Sequence, residues 1–149
     1  LAEFPKGLRI IRNYDTSLPD VLGDREQLIQ AVLNIVHNAA QALSEEIHAG
    51  IAQIELKTRV ARSVTIAKHR YKLAMDLHVI DNGPGIPQEQ MPELFERFSR
   101  GDASRTRATG STGLGLAIVN AVVQAHLGTV TVTSEPGKTM FTVSLPAAQ

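Results

Sequence analysis

The spacing of apolar residues switches several times along this chain between the alternation of a strand and the repeat of a helix, which limits the folds open to it. Leu28, Ala31, Ile35 and Leu43 recur at helical spacing behind Asp24, a candidate N-cap. The elements predicted in chain order are strand 8–14, helix 24–46, strands 51–62 and 70–80, short helix 88–95, loop 96–112, helix 112–127, and strands 129–134 and 139–145. We expect an α/β two-layer sandwich, a mixed sheet with its helices on one face.

The composition supports one domain over residues 1–149, with the loop of about 96–112 as a candidate lid. Fifteen Lys and Arg balance fifteen Asp and Glu, which argues against a dedicated nucleic-acid or anionic-membrane binder. The chain has no Cys, so a disulfide framework and a thiolate metal site are excluded. The first residues lack the cationic start and apolar stretch of a signal peptide. Since the chain also lacks an initiating Met and begins abruptly, we expect a fragment of a longer protein.

Two asparagines, Asn34 and Asn38, lie one turn apart on the first long helix. Asn is a poor helix former, so the pair is locally unfavourable in a helix interior. An Asn amide oxygen is a hard, neutral ligand suited to Mg²⁺ that also takes phosphate oxygens and waters. A solvated polar face is the simpler interpretation, and the two residues by themselves favour it.

A carboxylate, Asp81, closes a predicted strand and is followed by Gly83 and Gly85. A carboxylate accepts hydrogen bonds, so it suits the exocyclic amine of adenine and repels the carbonyl of guanine. The glycines would let the backbone come close to a planar base. Asp-Asn-Gly is also a strong turn signal, and taken alone this segment is better interpreted as a turn.

Glycines at 110, 113 and 115 stand at the start of the last long helix, where bare N–H groups and the helix dipole favour an anion such as a phosphate chain. Their spacing differs from a dinucleotide-binding fingerprint, and Gly137-Lys138-Thr139 joins two strands, unlike a P-loop. The preceding loop carries Arg97 and Arg100, which could neutralise a transferring phosphoryl group. Arg105 and Arg107 are better explained as solvated side chains.

In this order and spacing, the motifs resemble the catalytic ATP-binding domain of bacterial sensor histidine kinases, over about residues 8–146. Gyrase, MutL-type repair ATPases and heat-shock chaperones share the superfamily. The resemblance implies the Bergerat ATP-binding fold, with ATP and Mg²⁺ as cofactors. The residues it implies around the nucleotide are Asn34, Asn38, Gln41, Asp81, Gly83, Gly85, Ile86, Arg100, Gly113, Leu114, Gly115, Leu116 and Thr139.

The resemblance also implies a role for each group. Asn38 is similar to the magnesium ligand, and Asn34 to a phosphate or water contact. Asp81 is similar to the adenine selector, and Thr139 to a pocket residue that reaches adenine through water. Arg100 matches the lid arginine near the terminal phosphate, so Asn34 and Arg100 are the implied catalytic residues. Residues 113–116 match the phosphate cradle.

Two departures from the family pattern bear on the reaction. Many relatives carry Lys where this chain has Gln41, so one contact to phosphate charge is missing. The hydrolytic ATPases of the superfamily carry Glu where this chain has Asn34, and an amide cannot act as a general base. The resemblance therefore implies transfer of the γ-phosphoryl group to a histidine on a separate dimerisation domain, absent from this chain, with a response regulator downstream.

Three alternatives remain at this stage: a hydrolytic ATPase of the same superfamily, a serine kinase of the anti-sigma type, and an ATP-binding module without activity. The two halves also resemble different kinases. Up to Pro92 the chain resembles the nitrogen-regulation kinases of NtrB type, and from Phe95 the actinobacterial kinases that feed OmpR-type regulators. The chain is then either an engineered splice near residues 88–95 or a natural divergent family.

The two halves imply different parents. An NtrB-like parent would be a soluble cytoplasmic dimer acting on an NtrC-like regulator, whereas a parent resembling the second half would be membrane-anchored. For the domain alone we expect a monomer without nucleic-acid or membrane contacts.

Overall fold

The elements follow the predicted order. In this computed structural model the described residues are 6–92, 94 and 112–148, with the backbone alone for 112–115. The elements are β1 (Leu8–Asn13), α1 (Arg25–Ala42), α2 (Ser44–His48), β2 (Ala52–Ile66), β3 (His69–Asp81), a 3₁₀ turn (Gln88–Gln90), α3 (Thr112–Ala125), β4 (Thr129–Glu135) and β5 (Lys138–Pro146).

The strands form one sheet in the order β1-β2-β3-β5-β4. β1 runs parallel to β2, and the pairs β2–β3, β3–β5 and β4–β5 are antiparallel. A parallel pair needs a long crossover, which α1 and α2 supply between β1 and β2. The predicted mixed sheet is confirmed.

One face of the sheet and the two long helices share the core. Ile35 of α1 and Val119 of α3 are fully buried, and they belong to one apolar cluster with Ile54, Val79 and Phe141 of the sheet. The opposite face carries polar pairs, such as Ser144 Oγ donating to Asp76 Oδ1 at 2.7 Å. The predicted two-layer arrangement is therefore confirmed in the part of the chain that the structure describes.

The first long helix begins where predicted but ends earlier. The Asp24 side chain accepts the Gln27 N–H at 3.1 Å, as an N-cap does. The prediction of one helix to residue 46 is wrong, because Leu43 leaves the helical conformation at φ −102° and ψ 19° and α2 starts anew at Ser44. Leu43 is fully buried, so the break is stabilised by its packing in the core.

The hairpin between β2 and β3 is longer and tighter than predicted. The absence of Gly and Pro from residues 63–69 predicts an extended tip between the two strands, and that prediction is wrong. The strands run on to the pair Ile66–His69, and a two-residue turn joins them. Its residues Ala67 and Lys68 have φ of +49° and +71°, as a type I′ turn requires.

The remaining boundaries are close to those predicted. The short helix of 88–95 begins as the 3₁₀ turn at Gln88, while Phe95 and nearly all of the predicted lid lie outside the described residues. The last helix starts at Thr112 and ends at Ala125, two residues early, with Leu127 at φ +66°. Within the described ranges, no helix combines the length and apolarity needed to span a bilayer.

The double substitution Ala67→Asn and Lys68→Gly, at the two turn residues of the β2–β3 hairpin, should stabilise the fold. Each L-residue in the left-handed region costs about 1–2 kcal/mol, which Asn and Gly largely avoid. We expect a gain of about 1 kcal/mol in the free energy of unfolding, or about 2–4 °C in Tm, by thermal melts. Lys72→Gly within β3 is the control and should destabilise the protein. A turn variant that melts below the wild type would contradict the assignment of a type I′ turn.

Candidate nucleotide-binding site

The amide oxygen of Asn38 is an acceptor that finds no partner in the part of the chain that the structure describes. Asn38 Oδ1 is buried and has no hydrogen bond among the described residues. One turn earlier, Asn34 Oδ1 accepts the Gln30 side-chain amide at 3.1 Å. A buried acceptor without a donor costs about 1–3 kcal/mol, so the site favours an electropositive group. This oxygen fits Mg²⁺, which prefers hard oxygen ligands.

Asp81, the last residue of β3, is a nearly inaccessible carboxylate, with 4% of its surface exposed. Its Oδ1 accepts the Gly83 N–H at 2.9 Å. Burial raises the pKa of the Asp81 carboxyl above its usual value of 3.8; the Gly83 N–H opposes that rise, and the Glu46 carboxylate adds to it. Asp81 is thus a strong, poorly solvated acceptor for an N–H group.

Glu46 on α2 was not predicted as a site residue. Its Oε1 is buried without a hydrogen-bond partner in the described part of the chain, and its charge acts on Asp81. The sequence offered no signal for it, because Glu46 comes near β3 only through the break at Leu43 that starts α2.

The loop after Asp81 needs its glycines for packing within the protein. A methyl group on Gly83 would lie 3.0 Å from Asp81 Oδ1 and 3.2 Å from Leu43 Cδ2. Gly85 has φ +92°, and a methyl group there would lie 2.8 Å from the Glu135 carbonyl oxygen. The loop therefore lies directly against the end of α1 on one side and the β4–β5 turn on the other.

Ser134 links Thr139 and Ile86, two of the residues predicted for the nucleotide pocket. Thr139 is opposite Asp81 in the β3–β5 register, and 4% of its surface is exposed. Its Oγ1 lies 2.7 Å from Ser134 Oγ, which accepts the Ile86 N–H at 2.7 Å. Ser134 was not predicted; the alternation of β4 that buries Val132 could have indicated its inward position.

The structure places most of the other predicted residues on the two long helices. Gln41 is exposed in the last turn of α1. The Leu116 side chain is 1% exposed and lies in the apolar core, so a contact of this residue with phosphate would have to come from its backbone. Residues 113–115, part of the predicted phosphate cradle, lie in the first turn of α3, and Arg100 lies outside the described residues.

Asp81→Asn should stabilise the protein without ligand at neutral pH. The pKa of Asp81 is higher in the folded state than in the unfolded state, so binding of its proton stabilises the fold. This stabilisation is complete below pH 3.8, and it is lost as the pH rises through the folded-state pKa. Asn keeps an acceptor for the Gly83 N–H and carries no charge, so the variant avoids this loss.

The measurement is Tm against pH for the wild type and Asp81→Asn. We expect the advantage of the variant to be largest at pH 7 and to shrink as the pH falls towards 3.8. Asp20→Asn, at an exposed position, is the matched control and should change little at any pH. An Asp81→Asn variant less stable than the wild type at pH 7 would contradict this account.

The chain matches the model of the histidine kinase-, DNA gyrase B- and HSP90-like ATPase family over residues 23–149. It is 44% identical over 144 residues to the sensory histidine kinase/phosphatase NtrB of Salmonella typhimurium, an alignment covering 97% of this chain and 38% of NtrB. It is 51% identical over 124 residues to the sensor histidine kinase TcrY of Mycobacterium tuberculosis, covering 83% of this chain and 23% of TcrY.

Among solved structures, the mycobacterial sensor histidine kinase MprB is similar with a TM-score of 0.64 and 28% identity, over 94% of this chain and 84% of that one. The NtrB and TcrY alignments are each too long to lie on one side of residues 88–95, so each spans the expected seam, and the splice stays a prediction. The chain thus belongs to the histidine kinase-, DNA gyrase B- and HSP90-like ATPase family, and the relatives named here are sensor histidine kinases.

Proposed function

We propose that this chain binds Mg-ATP between α1, the end of β3 and the start of α3, and donates the γ-phosphoryl group to a histidine on a separate dimerisation domain. The observation that carries the proposal is the buried Oδ1 of Asn38, which has no hydrogen-bond partner over the described ranges and suits a phosphate-bound cation. The 44% identity to NtrB supports a kinase.

The base is selected at Asp81. The exocyclic amine of adenine donates to its carboxylate, whereas guanine presents a carbonyl oxygen there and is repelled. Since Asp81 is buried, this hydrogen bond forms with little competition from water. Thr139, beside it in the register, contacts the base through a water molecule, and Gly83, Gly85 and Ile86 line the pocket.

The triphosphate is held by charge and by backbone amides. Asn38 would hold Mg²⁺, which neutralises phosphate charge when it is bound. The first turn of α3, residues 113–116, presents N–H groups to phosphate oxygens, and Arg100 stabilises the transferring group. Gln41 stands where many family members have Lys. The contacts from Mg²⁺, the α3 amides and Arg100 therefore supply more of the affinity for the triphosphate.

The chemistry favours transfer over hydrolysis. A hydrolytic enzyme needs a base that activates water, and Asn34 is an amide whose oxygen already accepts from Gln30. Its amide N–H groups remain for a phosphate or a water. Catalysis then consists of positioning and charge neutralisation.

The partners of the phosphoryl transfer are a dimerisation domain and a response regulator. The chain spans 38% of the length of NtrB, which leaves room in such a protein for the dimerisation domain with the acceptor histidine. A response regulator, NtrC-like if the parent is NtrB-like, takes the phosphoryl group next. We infer that the domain itself is a cytoplasmic monomer.

Calorimetric titration with ATP and GTP, with and without Mg²⁺, tests the site. We expect ATP to bind and GTP to bind at least about tenfold more weakly. Asp81→Asn should weaken ATP binding about 10- to 100-fold, since a buried hydrogen bond to a charged group is lost. Asn38→Ala should abolish the dependence on Mg²⁺.

Gln124→Ala, exposed near the end of α3, is the control and should bind like the wild type. Equal affinity for ATP and GTP would exclude Asp81 as the base selector, and a folded sample that gives no heat with ATP would overturn the proposal.

A transfer assay tests the reaction itself. With γ-labelled ATP and an NtrB-type dimerisation domain supplied in trans, we expect label on histidine and little free phosphate. Rapid phosphate release without the acceptor would favour a hydrolytic ATPase. Tight ATP binding with no transfer to any supplied acceptor would favour a binding module.

A further inference from the structure

The β4–β5 hairpin is attached to the loop that follows Asp81. We call residues 82–86 the strand-exit loop. Its Ile86 N–H donates to Ser134 Oγ at 2.7 Å, and its Gly83 carbonyl accepts the Gly137 N–H at 2.9 Å. The two bonds join the ends of the loop to β4 and to the β4–β5 turn. They hold the loop at both of its ends.

The middle of the loop is packed against the same hairpin without any side chain between them. A methyl group at Gly85 would lie 2.8 Å from the Glu135 carbonyl oxygen and 3.2 Å from the Pro136 nitrogen. Backbone is therefore stacked on backbone at this point. There is no room for the loop to lie closer to the hairpin at Gly85, and moving the loop away from the hairpin would break both hydrogen bonds.

Ser134 links this attachment to Thr139. A hydroxyl has one hydrogen to donate and can accept two hydrogen bonds. Ser134 Oγ accepts from Ile86 and lies 2.7 Å from Thr139 Oγ1, and either oxygen can be the donor in that pair. In both arrangements one hydroxyl hydrogen of the pair has no partner among the described residues.

When Ser134 is the donor of the pair, the remaining hydrogen is on Thr139 Oγ1. Thr139 is opposite Asp81 in the β3–β5 register, and both residues are 4% exposed. The pocket thus places a donor, from the hydroxyl pair, beside an acceptor, the Asp81 carboxylate. An aminopurine, with a donating amine next to an accepting ring nitrogen, matches this arrangement.

We propose that Ser134 is a positioning residue of the base site, which holds the strand-exit loop through Ile86 and directs the Thr139 hydroxyl towards a purine base. This inference rests on the proposed nucleotide function and deepens it. Ser134 acts through its neighbours, so its loss should alter recognition of the base and leave recognition of the phosphates as it is.

The test compares Ser134→Ala with the rescue variant Ser134→Thr, which keeps the oxygen on a strand-compatible residue. Thr133→Ala, exposed one residue earlier on β4, is the matched control. Affinities are measured for ATP, for 1-deazaadenosine triphosphate, which keeps the 6-amino group but has a C–H in place of the ring nitrogen beside it, and for inorganic triphosphate, which lacks the base.

For Ser134→Ala we expect ATP to bind about tenfold more weakly and the preference for ATP over 1-deazaadenosine triphosphate to shrink, because only ATP has the ring nitrogen that accepts from the hydroxyl pair. Affinity for inorganic triphosphate should stay unchanged, and Ser134→Thr should recover ATP affinity to within about twofold of the wild type. Thr133→Ala should match the wild type throughout. A merely structural defect would instead weaken all three ligands together.

Unchanged ATP affinity and preference in a folded Ser134→Ala variant would overturn the inference while leaving the proposed function intact. Absence of ATP binding by the wild type would overturn the proposed function itself. If Ser134→Ala does not fold, Thr139→Val removes the other hydroxyl of the pair. It should lose the same preference for ATP, and its keeping that preference would overturn the inference.

Discussion

β3 is hydrogen-bonded on both sides, to β2 and to β5, and its last residue, Asp81, therefore leaves the sheet between two paired strands. The register places Asp81 beside Thr139 on the face that carries Val79 and Phe141. Because side chains alternate along a strand, a slip of one residue would turn Asp81 away from α1. The position of the base acceptor thus depends on the pairing of the central strands.

The site is built from groups that are unfavourable for the fold alone. Asp81 is buried beside Glu46, and Asn38 Oδ1 and Glu46 Oε1 lack hydrogen bonds within the described residues. Each such group lowers the stability of the unliganded protein. A ligand that supplies a cation to Asn38 and an N–H group to Asp81 would remove part of that cost. Stability and binding are therefore expected to oppose each other at these positions.

Much of the fold was predictable because local patterns agree with the tertiary structure. The N-cap at Asp24, the start of α3 at Thr112 and the strands β4 and β5 follow from short-range signals. The break at Leu43 could not be predicted, since it is stabilised by burial against a loop about forty positions further on. The turn at Ala67 and Lys68 was missed because neither residue is typical of positive φ.

The residues of the candidate site were likewise predictable only where a pattern in the sequence marks them. Asp81, Gly83 and Gly85 alone indicate only a turn, and they could be selected because they stand in order with the other motifs of the family. The alternation of β4 indicates that Ser134 points inward but not what it contacts, and Glu46 has no pattern of its own. The sequence by itself determined the order and type of the elements and the chemical groups available, because periodicity and turn chemistry act over a few residues. Only the tertiary structure decided which groups meet. The contacts of Ile86 with Ser134, and of Glu46 with Asp81, join residues 48 and 35 positions apart, and such contacts depend on sheet register and helix packing.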